Sequence, residues 1–143
     1  MAHRAAVRST GRFERKREAI LDAATLILNR RGVKGLTLGV AAAAVDLSTT
    51  SVTYYFKRKD DLAAACMLRG VEALTAMVFS ALAEQTPQAR LHHLLTLYLE
   101  RARQSALGEL PALPALSDLR ALNQPQRAGV SADDLKRLRE RGV

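Results

Sequence analysis

Ser48, Thr49, Thr50 and Ser51 stand together in the stretch LSTTSVTYYFKRKDDL, residues 47–62, and two tyrosines and a basic triplet follow them. The chain has three tyrosines and three phenylalanines, and half of these six rings, Tyr54, Tyr55 and Phe56, lie in a row here. The short hydroxyls can donate and accept hydrogen bonds at base edges, and a threonine methyl can meet a thymine methyl. The phenol hydroxyls of Tyr54 and Tyr55, one turn further on, can reach phosphates. Lys57, Arg58 and Lys59 can neutralise phosphate charge, and such contacts position a protein without reading sequence. These residue types in this order point to a nucleic-acid interface. Taken singly, each has a plainer reading: Ser48 is a helix cap, the Thr/Ser group is an exposed face, and the triplet is solvated.

The elements that must position this group are helices. From about Glu14, Ile20, Ala23, Ala24, Ile27 and Leu28 keep one apolar stripe at spacings of three and four. Arg30 and Arg31 suit the last turn of that helix, and Gly32 suits a left-handed stop. Thr37 caps a short helix at about 38–44, in which Gly39 costs roughly 1 kcal/mol against alanine. Ser48 caps a second at about 49–55, with Phe56 turned back into the core. Two short helices joined by a tight turn make a helix-turn-helix, whose second helix enters a DNA major groove N-terminus first. Asp60 and Asp61 open a long helix at about 60–84, with Leu62, Cys66, Met67, Val71, Leu74, Val78 and Leu82 as its buried stripe. Thr86 and Pro87 start another at about 87–106, with Leu91, Leu94, Leu95, Tyr98 and Leu99 apolar, ended by Gly108, Pro111 and Pro114. One or two turns at 116–122 and a charged helix at 132–141 capped by Ser131 complete the reading.

Alanine and leucine supply most of a hydrophobic content of 48%. That favours helix over sheet, and the fold class is all-α: an N-terminal three-helix helix-turn-helix domain followed by a shortened helical regulatory domain. The division is a flexible basic arm at 1–13, a DNA-binding domain at 14–58, and a partial ligand-binding and dimerisation domain at 59–143. The net charge is +8. Residues 1–60 hold twelve Lys/Arg against five Asp/Glu, and residues 61–143 ten against nine, so the excess lies beside the proposed motif. A single cysteine, Cys66, allows no internal disulfide and fits a reducing cytoplasm. The basic start lacks the apolar core of a signal peptide, and the apolar runs are read as too short to span a bilayer.

The stretch REAILDAATLILNRRGVKGLTLGVAAAAVDLSTTSVTYYFKRKDDL, residues 17–62, resembles the DNA-binding domain of the tetracycline-repressor (TetR) family of bacterial transcriptional regulators. Ile20-Leu21-Asp22-Ala23-Ala24 through Arg31-Gly32 is similar to the family's first helix and its stop. Thr37 matches the threonine that caps the second helix and touches phosphate. Leu47-Ser48 matches the pair opening the recognition helix. Tyr55-Phe56, Lys59 and Leu62 match the aromatic pair, the phosphate-contacting lysine and the leucine after them. Asp46 stands where the family usually has glycine, at a small conformational cost. Thr53 replaces a common phosphate-contacting tyrosine, and Gly39-Val40 a polar pair.

The resemblance implies a repressor relieved by a small-molecule effector, a palindromic operator on double-stranded DNA, and a homodimer. The expected DNA-binding residues are Thr37, Ser48, Thr49, Thr50, Ser51, Tyr54, Tyr55 and Lys59. The helices with which the family dimerises have no counterpart in this reading, so the homodimer competes with a second expectation, a truncated regulator acting by protein–protein pairing. Residues such as Met67, Val71, Leu74, Val78, Leu91, Leu95 and Tyr98 are read as core in preference to an effector pocket. An enzyme is not expected. His92 and His93 are adjacent and diverge on a helix, Cys66 falls on a buried stripe, and no phosphate-cradling glycine loop or nucleophile elbow is present. No cofactor or metal is expected.

Overall fold

A computed structural model describes residues 2–115, with side chains from Gly11 onward. The expected turns at 116–122 and the helix at 132–141 lie outside the described residues. Five helices follow in order: α1 (Ala2–Gly35), α2 (Leu38–Ala43), α3 (Thr49–Tyr55), α4 (Lys59–Leu82) and α5 (Pro87–Ala106). Among the described residues there is no strand.

Gly32 breaks α1, with φ 65° and ψ −179°. That region is open to glycine and closed to almost every residue with a Cβ. The break lets the last turn fold back, so that Val33 and Leu36 enter the core beside Leu28. On the other side of the break, Ile20, Leu21, Ala24 and Leu28 are buried, as their spacing requires.

Hydroxyl caps start three of the four later helices, α2, α3 and α5. Thr37 Oγ1 accepts from Val40 N at 3.1 Å, Ser48 Oγ from Ser51 N at 3.1 Å, and Thr86 Oγ1 from Ala89 N at 3.2 Å. Each satisfies one donor that the helix start leaves without an intrahelical partner.

The core joins α1 to α2, α3 and the first half of α4 through Ile20, Leu21, Leu36, Val52, Leu62 and Met67, all at most 2% exposed. Burying side chains of this size contributes roughly 1.5–3 kcal/mol each. α1 packs on α4 and α2, α2 on α3, and α4 on α5.

Four expectations change. The residues assigned to a flexible arm are helical from Ala2. Extending an existing helix needs no new nucleus, and the alanines and arginines there favour it. The apolar stripe of α4 is buried only in its first half: Leu62, Cys66 and Met67 are buried, Val71 and Leu74 half-buried, and Val78 and Leu82 exposed. On α5 no residue is buried; Leu94 is half-buried, while Leu91, Leu95, Tyr98 and Leu99 are exposed, because only one face of α5 meets α4. Finally, α4 is long and apolar enough, by length and composition, to cross a bilayer, contrary to the expectation from its short apolar runs. Its first half is instead a core helix, and Arg69 at its middle is ion-paired to α1.

Candidate nucleic-acid interface

The turn between α2 and α3 is closed by Val45 N and Leu47 N, which both donate to Ala42 O at 3.1 and 3.0 Å. Asp46 takes φ 53° to make this turn, and is the one non-glycine residue with positive φ among the described residues. The cost expected at this position therefore has a structural site.

α3 is held by one side and open on the other. Val52 is fully buried and Phe56 nearly so. Ser48, Thr49, Thr50 and Ser51 are all exposed around its N-terminal end. Their hydroxyls are not equivalent. Ser48 Oγ and Ser51 Oγ share a hydrogen bond of 2.8 Å, so one of the two keeps a hydroxyl proton for an outside acceptor. Thr53 Oγ1 donates back to Thr49 O at 2.9 Å and is spent on its own helix. Thr49 and Thr50 make no side-chain hydrogen bond among the described residues. Thr37, at the start of α2, accepts through its cap and keeps its own proton to donate.

Two side chains from α1, Phe13 and Arg17, brace the far end of α3. Phe13 stacks on Tyr55 with centroids 4.7 Å apart and meets Tyr54 edge-on at 5.9 Å. Arg17 lies over the Phe56 ring, 5.3 Å from its centroid. Both geometries are favourable, for the ring quadrupole prefers offset or edge contacts and attracts a cation to its face. Tyr55 packs against the core, whereas Tyr54 is 72% exposed. Of the two phenols, Tyr54 is the one presented to solvent.

Beyond the motif, Lys57, Arg58 and Lys59 are exposed. Arg58 is drawn to Asp60 at 3.6 Å, which offsets part of its charge. Lys59, the first residue of α4, makes no ion pair among the described residues. The expected DNA-binding residues thus fall on neighbouring segments, at the starts of α2 and α3, the end of α3 and the start of α4.

Phe13, Lys16, Arg17 and Arg69 were not singled out from the sequence. Lys16 lines a cleft of about 220 Å³ with Leu47, Ser51, Tyr54 and Tyr55. Arg69 joins α4 to α1: its Nη1 donates to Asp22 Oδ1 at 2.6 Å and Glu18 Oε2 at 3.1 Å, and its Nη2 to buried Thr25 Oγ1 at 3.2 Å. A lone phenylalanine in an otherwise polar basic segment was the signal for Phe13. The others carried none, since their partners are distant in sequence. Elsewhere, Cys66 is buried against Leu21 O at 3.6 Å, and burial pushes its thiol up to about 11. His93 Nδ1 lies 3.0 Å from Glu84 Oε1, while His92 is exposed on another face.

The arrangement is a helix-turn-helix head with a polar, basic outer face. The sequence profile described as bacterial regulatory proteins, tetR family, matches residues 20–66, the helix-turn-helix and the core that holds it. Two relatives are each called HTH-type transcriptional regulator BetI. That of Burkholderia thailandensis is 33% identical over 67% of this chain and 50% of its own. That of Paraburkholderia phymatum is 37% identical over 57% of this chain and 42% of its own. The chain therefore spans half or less of the length of these relatives. Among solved structures, the superantigen PfiT has a TM-score of 0.64 and 26% identity, covering 87% of this chain and 65% of that one. PfmR, a TetR-family transcriptional regulator from Thermus thermophilus, shares the fold, with a TM-score of 0.60 and 20% identity over 87% of this chain and 70% of its own. Residues 20–66 thus carry a helix-turn-helix domain similar to that of the tetR family of bacterial regulatory proteins.

Proposed function

We propose that the chain is a sequence-specific DNA-binding transcriptional regulator, with α3 as the recognition helix in a major groove. The observation that carries this is the two-sidedness of α3. Val52 and Phe56 lock one side into the core, while Ser48, Thr49, Thr50 and Ser51 stand exposed at the end that enters the groove. In this reading Thr49 and Thr50 address base edges. Thr37, Tyr54 and Lys59 hold phosphates on either side, and Tyr55 acts from within as a packing residue. The names of the two curated relatives support transcriptional regulation.

The reading extends to repression, relieved by a small-molecule effector, on a palindromic operator bound by two copies in the cytoplasm. The DNA-binding unit is residues 14–58, and residues 59–143 carry the regulatory role. A cleft of about 300 Å³ between Asn29, Tyr98, Arg101, Ser105 and Leu113 has the size of a small-ligand site and supports the effector role. A second reading, pairing with another protein, is favoured by one observation: Val78, Leu82, Leu91, Leu95, Tyr98 and Leu99 are all exposed on α4 and α5.

The test compares Lys59→Ala with Thr50→Ala on a panel of duplexes. Lys59→Ala is expected to weaken binding about equally on all of them, and Thr50→Ala to change their ranking. If the two substitutions act alike, the division into positioning and reading residues is wrong.

A further inference from the structure

We infer that Lys16, Ser51 and Tyr54 form a phosphodiester-binding notch between α1 and α3, held in shape by Phe13; the inference rests on the DNA-binding reading above. The notch is the cleft of about 220 Å³ lined by Lys16, Leu47, Ser51, Tyr54 and Tyr55. Four of these residues carry donors suited to a phosphate: an ammonium, a hydroxyl and two phenols, of which that of Tyr54 is the exposed one. None is acidic. Of the other cations nearby, Arg17 pairs with Glu18 and Arg58 with Asp60. Lys16 has no carboxylate partner among the described residues, so its charge is left facing a polar cleft.

The position fits a backbone phosphate beside the groove. Ser51 lies in the first turn of α3, the end that enters the groove, and Tyr54 is one turn further along the same helix. Phe13 is the positioning residue. It touches both tyrosine rings, so the exposed Tyr54 phenol is held toward Lys16 instead of sweeping freely through solvent. Both Phe13 and Lys16 precede the segment matched by the family profile.

The experiment is a salt titration of duplex binding by fluorescence anisotropy, with the full chain and four variants. Each neutralised phosphate contributes about 0.9 to the slope of log affinity against log salt on duplex DNA. Lys16→Ala is expected to reduce the slope by about that amount on every sequence. Arg103→Ala, which removes the same charge from exposed α5, is expected to leave it unchanged. Phe13→Ala is expected to lower affinity and lose the same increment of slope, while Phe13→Tyr restores both. A Lys16→Ala slope equal to that of the unsubstituted chain overturns the notch while leaving the DNA-binding reading standing. A Phe13→Ala slope equal to that of the unsubstituted chain removes Phe13 from the site. Absence of duplex binding by the unsubstituted chain overturns the regulator reading and the notch together. Lys16 is exposed, so its removal leaves the fold intact, and a circular-dichroism melt checks this directly.

Discussion

Arg69 is the polar link between the helix-turn-helix head and the long helix that leaves it, and Arg69→Met tests how much that link contributes. The methionine keeps much of the apolar stem and removes the guanidinium. Three contacts disappear, to Asp22 at 2.6 Å, Glu18 at 3.1 Å and Thr25 at 3.2 Å. Hydrogen bonds to charged groups contribute about 1.5–3 kcal/mol each when sheltered. The carboxylates are not well sheltered: the side chains of Glu18 and Asp22 are 51% and 43% exposed, against 22% for Arg69. Once freed, water can solvate them, so most of their share is screened away. Thr25 is fully buried but keeps its bond to Leu21 O at 2.8 Å. The expected loss is therefore about 2 kcal/mol, or about 7 °C in Tm for a chain of this size. Urea denaturation followed by circular dichroism measures it. Thr25→Val combined with Arg69→Met should be non-additive by more than about 0.5 kcal/mol, because the two side chains share a bond. A loss below about 0.5 kcal/mol for Arg69→Met, with additive behaviour, would show that the cluster is surface decoration.

Other substitutions probe the backbone and the buried thiol. Asp46→Gly should raise stability by about 1 kcal/mol, since φ 53° strains aspartate and not glycine; an unchanged urea midpoint would refute this. Gly32→Ala should cost about 1–3 kcal/mol for the converse reason, read in the same assay, and a neutral result would mean that the break in α1 relaxes freely. Cys66 should resist thiol reagents at pH 8 until the chain unfolds. Its thiol is raised in the folded state from 9.0 to about 11, so the associated stability is fully present below about pH 9 and is lost as pH rises through 11. The loss is roughly 3 kcal/mol, and it should be missing from the pH profile of Cys66→Ala. Equal alkaline profiles would contradict the burial account.

Local features were legible from the sequence and non-local ones were not. Thr37, Ser48 and Thr86 cap the helices they precede, because a cap depends on residues three positions away. Gly32 breaks its helix for an equally local reason. The apolar periodicity of α1 found Ile20, Ala24 and Leu28 of its buried stripe, but it left out Leu21 and counted Ala23 and Ile27, which are half-buried. On α5 the same periodicity misled, since a stripe marks what can be buried and not what covers it. Residues 2–13 have no apolar face, yet the helix formed downstream extends through them. Phe13 against Tyr54 and Tyr55, and Arg69 against Asp22, join residues far apart in sequence. No spacing rule reaches that far. In the candidate interface, residue types pointed to the exposed face of α3, but only the folded geometry separates Thr53, bonded to its own helix, from Thr50 nearby.

The measurement that tests the central claim most directly is selection of duplexes from a random DNA library by the full chain, followed by affinity measurements from about 50 to 200 mM salt. The account predicts enrichment of a defined sequence, and an affinity that falls steeply with salt as lysines and arginines displace counterions. It further predicts that Thr50→Ala selects a different sequence. No enrichment, together with no salt-dependent affinity for any duplex, would contradict it and would leave the exposed apolar face of α4 and α5 as the surface to pursue.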